Sequence, residues 1–137
     1  MIATVTDQPL DLLFHVEQVG SAQAGAVATF VGLVRDHDPA VAGEVVGLEY
    51  SAHPDAAATI ERIAAEVAAD PAVLGLAVSH RIGRLAVGEA AIVAAVAAAH
   101  RAAAFESCRL LVEQVKAELP VWKRELLADG THHWVGL

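Results

Sequence analysis

The two lysines of this chain, Lys116 and Lys123, lie seven residues apart on either side of Pro120. A helix that ends before Pro120 and an extended segment after it would point both ammonium groups into one cleft. Such a pair suits anion binding, acid–base work or attack on an acyl group. Two solvated lysines would show the same spacing, so the spacing alone leaves that second interpretation open.

The residues around Lys123 are predicted to be extended, so that successive side chains point to opposite faces. Trp122 then points away from Lys123, and we expect it to pack inward and fix the position of the lysine. Arg124 also points away from Lys123, toward an interface or the rim of the cleft. The alternation therefore separates the amine from the side chains that support it.

His100 and Arg101 stand where a predicted strand gives way to a predicted helix. A helix N-terminus attracts anions through its free N–H groups and its dipole, and a cation there is unfavourable unless something negative also binds. On physical grounds this pair is the strongest candidate for an anion site. A simple salt bridge from Arg101 is the alternative.

Two other segments carry arginines beside glycines. In the first, a strand containing Gly32 ends on Arg35, and a glycine in a strand often marks a bulge or the close approach of a ligand; an ordinary strand ending in a solvated charge is the favoured interpretation. The second runs from His80 to Glu89 and could hold a phosphate or brace an interface. A structural role is favoured there, because Glu89 is available to neutralise one guanidinium.

The elements that must position these residues follow from the hydrophobic pattern. The longest helix has an apolar seam of Phe105, Cys108, Val112, Val115 and Leu119, and it ends because the residue before a proline disfavours helix. The order of elements predicts an α+β fold, a two-layer sandwich with a mostly antiparallel sheet and about three helices. The predicted strands are Ile2–Thr6, Ala26–Arg35, Glu44–Tyr50, Val73–Ile82, Ala90–Ala99, Val121–Leu126 and His133–Gly136. The predicted helices run from Asp7-Gln8-Pro9 to Val19, from His53-Pro54-Asp55 to Asp70-Pro71, and from Arg101 to Leu119, with 36–43 a polar loop and 83–89 a turn region.

The composition limits the class of protein. A chain of 137 residues predicts one domain over residues 1–137, and a core of small side chains, with 4% aromatic residues, predicts added stability from oligomerisation. The formal net charge of -8 argues against binding to nucleic acid. Basic residues concentrated in the motifs of an acidic chain favour a small anionic substrate.

The single cysteine, Cys108, excludes an internal disulfide and a cysteine-rich metal site. It lies on the apolar seam, so we expect a core residue and not a reactive thiol. His and Cys residues show no metal-binding spacing, and we predict neither a metal site nor a bound cofactor. No apolar stretch is long enough to span a membrane and no leader pattern is seen, so we expect a cytoplasmic protein that does not contact a membrane.

Taken together, four motifs resemble those of the large, catalytic subunit of molybdopterin synthase. They cover nearly the whole chain in the family's order and spacing, and although each is weak alone, four in register are a strong signal. The motifs are Phe30-x-Gly32-x-Val34-Arg35, His80-Arg81-x-Gly83-x-Leu85-x-x-Gly88-Glu89, His100-Arg101-x-x-Ala104-Phe105 and Lys116-x-x-x-Pro120-x-Trp122-Lys123-Arg124-Glu125.

The resemblance implies an α/β hammerhead-type fold and a homodimer. A small ubiquitin-like sulfur-carrier subunit with a C-terminal Gly-Gly would bind at each end to form a heterotetramer. The carrier's tail, activated as a thiocarboxylate, would enter a pocket of this chain and transfer sulfur to cyclic pyranopterin monophosphate, forming the dithiolene of molybdopterin. The implied activity is that of a sulfurtransferase in molybdenum cofactor biosynthesis.

The resemblance also implies roles for individual residues. Lys116 and Lys123 match the catalytic lysines; our hypothesis is that Lys116 lies nearest the thiocarboxylate, binding the developing oxyanion or moving protons, and that Lys123 orients the pterin. Leu33 departs from the polar residue that relatives often have, which puts a side-chain contact from that position in doubt. The residues that match contacts to the pterin and its phosphate are Leu33, Val34, Arg35, His100, Arg101, Arg124 and Glu125.

Two rival functions are weighed beside this one. The first is a non-catalytic oligomeric module whose basic cleft binds an anionic metabolite or a partner's C-terminal tail. The second is an acyl-transfer enzyme that forms a lysine amide with some other carboxyl-terminal tail. Only an enzyme needs both lysines for turnover, and only the second rival forms a covalent adduct with a partner unrelated to sulfur.

Overall fold

The computed structural model describes residues 1–135 and contains two sheets and three helices in that part of the chain. None of these helices combines the length and the apolar character needed to cross a membrane. The elements in chain order are β1 (Ile2–Thr6), α1 (Leu12–Val19), β2 (Ala26–Leu33), β3 (Val45–Ala52), α2 (Ala56–Ala68), β4 (Val73–Arg81), β5 (Gly83–Ala86), β6 (Ala90–Ala98), α3 (Arg101–Glu118), β7 (Val121–Leu127) and β8 (His132–Val135).

The two sheets each have four strands. The first has the order β1-β4-β6-β2, in which β1 is parallel to β4 and the other pairs are antiparallel. The second has the order β5-β3-β7-β8 and is antiparallel throughout. The prediction of an α+β fold with mostly antiparallel sheets and about three helices is confirmed.

The core is built around β6, whose residues Ala91–Ala98 are all buried. Helices cover both faces of this strand: Val96 packs in the cluster formed with α2 and α3, whereas Ala95 packs in the cluster that contains Val19 of α1. Small side chains let the layers approach closely. A Cβ atom at Gly75 would lie 2.7 Å from the carbonyl oxygen of Val19, so α1 can sit against β4 only because that position is glycine.

The apolar seam of α3 is confirmed except at its first residue. Cys108, Val112, Val115 and Leu119 are buried, and Cys108 is a core residue as predicted. Phe105 is 66% exposed, so its place in the seam was wrong. It lies beside β2, the edge strand of the first sheet, where no further strand continues the layer beneath it.

Element boundaries shift where local capping or distant pairing decides them. α1 begins after Asp11, whose carboxylate accepts a hydrogen bond from the Phe14 N–H at 3.3 Å, and not at Pro9. Residues predicted as a turn form β5, because they pair with β3 and bury Leu85 completely. β8 begins at His132, and Gly136, the predicted end of that strand, lies outside the described residues.

Surface ion pairs account for two of the arginines. Arg62 contacts Glu66 at 3.0 Å and Glu118 at 2.9 Å, which ties α2 to α3. Arg81 contacts Glu89 at 2.8 Å. The structural interpretation of the segment from His80 to Glu89 is therefore confirmed for Arg81.

Candidate active site

A cavity of about 510 Å³ opens among the C-terminal end of α3, β7, β3 and the segment after β2. Its apolar walls come from both sheets, for example from Ile92 of β6 and Leu48 of β3. We call it the lysine cavity. Its lining residues with ionisable side chains are Arg35, His37, Asp38, Tyr50, His80, Lys116, Lys123 and Glu125.

The structure brings both lysines to this cavity. Lys116 lies in the last turn of α3, and its Nζ is 6.0 Å from the centroid of the Phe30 ring. The helix ends before Pro120, and the chain then pairs as β7 with β3, so that Lys123 lies opposite Tyr50. The expected shared cleft is therefore present within one protomer.

The end of β2 and the segment after it contribute two of their three predicted residues to the lysine cavity. Leu33 and Arg35 line the lysine cavity, whereas the Val34 side chain is only 2% exposed and packs into a separate apolar cluster. The backbone of Val34 is held on both sides, because its N–H donates to the Glu89 carbonyl at 2.9 Å and its carbonyl accepts from the Gly88 N–H at 2.7 Å. Val34 thus anchors the segment and its neighbours face the cavity.

Arg124 lies on the opposite face of the second sheet from Lys123, as the alternation predicted. It forms an ion pair with Glu49 at 2.7 Å, and its guanidinium carbon is 5.7 Å from the centroid of the Trp134 ring. Trp122 shares this outward face and is 39% exposed, so its predicted inward packing was wrong. The helices pack mainly on the first sheet, which leaves this face of the second sheet open.

His100 and Arg101 do not join the lysines in the protomer. They are exposed at the N-terminal end of α3, and His100, the N-cap residue, makes no capping hydrogen bond with its side chain. Lys116 lies fifteen positions after Arg101 in the helix, which places the two backbones about 22 Å apart along the axis. The cationic ends of α3 are separate features of one chain.

Glu125 is a buried carboxyl group in the lysine cavity. Its side chain is 4% exposed, and its Oε1 has no hydrogen-bond partner among residues 1–135. Burial, together with a hydrogen bond to Asp38 from the loop after β2, raises the pKa of Glu125 above its usual range. The same hydrogen bond lowers the pKa of Asp38, so the pKa values of the two neighbouring carboxyl groups are shifted in opposite directions.

His80 is a cavity residue to which the motif analysis gave no role of its own. It is 8% exposed at the end of β4, and its pKa is lowered by burial and, to a smaller extent, by the charge of Lys116. The sequence did contain a signal for this residue. Residues 76, 78 and 80 share one face of the strand, and His80 is a polar side chain on a face whose two preceding members are apolar. His37 and Asp38 lie on the irregular loop, where no periodicity points to the cavity.

The charges of the lysine cavity suit an anion. Arg35, Lys116 and Lys123 supply three cations, against the two carboxyl groups of Asp38 and Glu125, of which Glu125 has a raised pKa. In a partly enclosed space such cations interact with a phosphate more strongly than they would in open solvent. Amines beside the same space can also stabilise negative charge that develops on a carbonyl oxygen.

A second depression, of about 240 Å³, lies along α3 toward its N-terminal half. We call it the α3 groove. It is largely apolar, with Phe30 and Phe105 on its walls and Arg109 and Glu113 at its margin. Because the Phe30 ring also faces Lys116, this residue separates the α3 groove from the lysine cavity.

Comparison with known proteins gives a consistent family. The family model described as MoaE protein matches residues 5–118. The molybdopterin synthase catalytic subunit of Bacillus subtilis (strain 168) is 37% identical over 133 residues, which are 96% of this chain and 83% of that protein. The subunit of the same name from Oryza sativa subsp. indica is 41% identical over 124 residues, but this chain spans only 62% of its length.

A solved structure agrees with the sequence matches. The crystal structure of molybdopterin synthase from Staphylococcus aureus has a TM-score of 0.89 to this chain at 28% identity, covering 98% of this chain and 97% of that one. Both the sequence pattern and the arrangement of two sheets and three helices are thus shared with these proteins. The chain belongs to the MoaE protein family.

Proposed function

We propose that this chain is the catalytic subunit of a molybdopterin synthase. It transfers sulfur from the thiocarboxylated C-terminus of a small carrier protein to cyclic pyranopterin monophosphate, and so forms the dithiolene of molybdopterin. The observation that carries the proposal is a single cavity lined by Lys116, Lys123 and Arg35. Relatives named as catalytic subunits of this synthase support it.

The cavity residues divide the work by their chemistry. Arg35 binds the substrate phosphate, because a guanidinium presents a planar fork of donors that matches two phosphate oxygens. Lys116 binds the oxyanion that forms when the carrier's carbonyl carbon is attacked. Lys123, held by the pairing of β7 with β3, orients the pterin. Glu125 contacts the polar edge of the same ring system.

The sulfur comes from outside the chain. Cys108 is 5% exposed, and burial raises the pKa of its thiol. A buried thiol with a raised pKa is a poor nucleophile, because the thiolate is the reactive form. A sulfurtransferase with this cysteine alone therefore needs a partner that delivers the sulfur, and a carrier ending in Gly-Gly has a tail thin enough to enter the lysine cavity.

His100 and Arg101 act in the homodimer that this proposal includes. Because of the separation along α3, one small substrate cannot contact these two residues and the lysines of the same copy. Arg101 of the partner subunit reaches the lysine cavity instead, together with His100 of the partner subunit. With one carrier at each end, the assembly is a heterotetramer, and we expect it in the cytoplasm.

The decisive experiment measures dithiolene formation from thiocarboxylated carrier and cyclic pyranopterin monophosphate. We expect Lys116→Ala to lower the rate by about a hundredfold or more, as loss of one oxyanion donor does elsewhere. We expect a loss of about a hundredfold in Lys123→Ala, because misplacing a substrate costs a similar factor. Arg62→Ala is the matched control, since it removes an exposed cation that pairs only with Glu66 and Glu118 among the described residues. Near-normal rates in either lysine variant would refute that lysine's role.

The same experiment separates the proposal from a binding module. A module would bind the phosphate-bearing ligand without producing dithiolene, in the wild type as well as in the variants. An acyl-transfer enzyme would instead leave a lysine amide on the chain, visible as a mass increase after the carrier is digested. Turnover that depends on both lysines, without such an adduct, supports the synthase.

A further inference from the structure

His80 is held in one orientation inside the lysine cavity. Its Nδ1 lies 2.9 Å from the Arg81 carbonyl oxygen, and its ring meets Tyr50 edge to face with centroids 5.0 Å apart. The first contact comes from its own strand and the second from β3 across the cavity. Together these two contacts fix the orientation of the imidazole ring.

The contact with the carbonyl also assigns the tautomer. A carbonyl oxygen only accepts, so Nδ1 carries a hydrogen, and in the neutral ring the lone pair is then on Nε2. Nε2 has no hydrogen-bond partner in the described part of the chain. Burial and the nearby charge of Lys116 on α3 favour the neutral ring, although the carbonyl contact partly opposes them.

Apart from His37, an exposed imidazole on the loop after β2, the other groups around the cavity are less suited to accept a proton. Ammonium and guanidinium groups, at Lys116, Lys123 and Arg35, have no free lone pair. Tyr50, the neighbour from β3, is a weak acid whose pKa burial raises further. Glu125 on β7 is engaged by the neighbouring Asp38 carboxyl group, and that contact lowers the pKa of Asp38, which makes Asp38 a weaker base.

Sulfur transfer creates a demand for such a base. When the carrier's thiocarboxylate transfers its sulfur, the carrier is released with a C-terminal carboxylate. The second oxygen atom of that carboxylate comes from water. Water attacks a thioester slowly unless a base removes a proton as the new carbon–oxygen bond forms. The cavity must therefore hold a proton acceptor beside the group that binds the oxyanion.

We propose, on the basis of the function proposed above, that His80 is the general base for this hydrolysis. Before this step the thiocarboxylate sulfur has displaced an oxygen substituent from a substrate carbon, so that the carrier's acyl group is joined to that carbon through sulfur. Nε2 takes a proton from a water molecule while the oxygen of that water bonds to the acyl carbon. Lys116 binds the negative charge that develops on the acyl oxygen. When the carbon–sulfur bond breaks, its electron pair leaves on sulfur, which takes that proton back from the imidazolium. The products are the carrier's carboxylic acid, which ionises in solvent, and a thiol on the substrate.

The first test needs no activity. In the isolated chain at neutral pH, nitrogen NMR of His80 is expected to show a protonated Nδ1 and an unprotonated Nε2. A doubly protonated ring, or a proton on Nε2, would overturn the proposal.

The second test follows a single turnover with thiocarboxylated carrier. In His80→Gln we expect carrier release to slow by about a hundredfold or more. The thioester between the carrier and the substrate should then accumulate and be visible in intact mass spectra. The wild-type release rate falls at acidic pH as the imidazole becomes protonated. We call this fall the acid limb of the pH–rate profile, and we expect it to be absent in His80→Gln. Turnover in H₂¹⁸O places one ¹⁸O atom in the released carrier, and its absence would contradict a hydrolytic step.

Controls separate a base from a residue that only shapes the cavity. His37→Gln removes the other cavity imidazole, and Tyr50→Phe keeps the aromatic contact; both retain the acid limb. Added imidazole restores part of the release rate in His80→Ala but not in Lys116→Ala. Wild-type release in His80→Gln refutes only the role of His80, whereas a wild type that makes no dithiolene refutes the proposed function.

Discussion

The two ends of α3 both carry basic residues, but they stand in opposite physical situations. Lys116 lies in the last turn, where the helix dipole favours a cation, and it faces an enclosed cavity. His100 and Arg101 lie at the first turn, where the dipole opposes a cation and where both side chains are exposed. One end is electrostatically satisfied within the protomer, and the other is not.

The length of α3 keeps two of the sequence motifs apart in space. The motif at His100 and the motif at Lys116 belong to one helix, yet the axial rise of that helix keeps them apart. Residues that would serve one small substrate must then come from two copies of the chain. The unfavourable cation at the first turn is explained if it meets an anion there only after assembly.

A complementation experiment tests whether residues from the two ends of α3 meet in a site that is built from two copies of the chain. Lys116→Ala and Arg101→Ala homodimers should each be nearly inactive in dithiolene formation. Mixed dimers contain one site with both residues intact, so an equal mixture that exchanges subunits should recover about a quarter of wild-type activity. No recovery after confirmed exchange would mean that Arg101 acts within its own protomer or not at all.

A second prediction concerns the buried carboxyl at the cavity end. Because the folded chain raises the pKa of Glu125, the folded state binds more protons than the unfolded state as pH rises above the ordinary value of 4.5, and stability falls. Glu125→Gln removes this penalty and can donate to Asp38, so it should stabilise the chain at pH 7 by on the order of 1–2 kcal/mol.

The measurement is urea unfolding at several pH values. The advantage of Glu125→Gln over the wild type should shrink as the pH falls below the ordinary carboxyl range, where Glu125 is protonated in both states. Glu61→Gln serves as the control, because Glu61 is an exposed carboxyl on α2 that does not line the cavity. A Glu125→Gln variant that is less stable than wild type at pH 7 would show that the buried carboxylate is stabilising.

The smallest predicted effect is at the N-terminal end. His100→Asp supplies the missing N-cap acceptor and a favourable charge, and it should raise the free energy of unfolding by about 1 kcal/mol. The same change should weaken substrate binding if His100 contacts an anion in the dimer. Thermal unfolding together with the Michaelis constant checks both, and a variant that gains neither stability nor a higher Michaelis constant contradicts the comparison.

Much of the fold follows from local patterns in the sequence. The apolar periodicity of α3 and the stop at Pro120 are local, and the strand bounds differ from the predicted ones by at most two residues. β5 escaped prediction because its four residues become a strand only through pairing with the distant β3. Phe105 and Trp122 were misplaced because periodicity shows which side chains share a face but not whether another layer covers that face.

Motif order and backbone geometry are enough to predict the family, the helix that ends at Pro120 and the opposite directions of Lys123 and Arg124. Only the tertiary structure decided which residues share the lysine cavity. It added His80 and Asp38, removed Val34 and Arg124, and set His100 and Arg101 at the far end of α3. The physical reason is that neighbours across a cavity are chosen by sheet pairing and helix length, which join residues far apart in the chain.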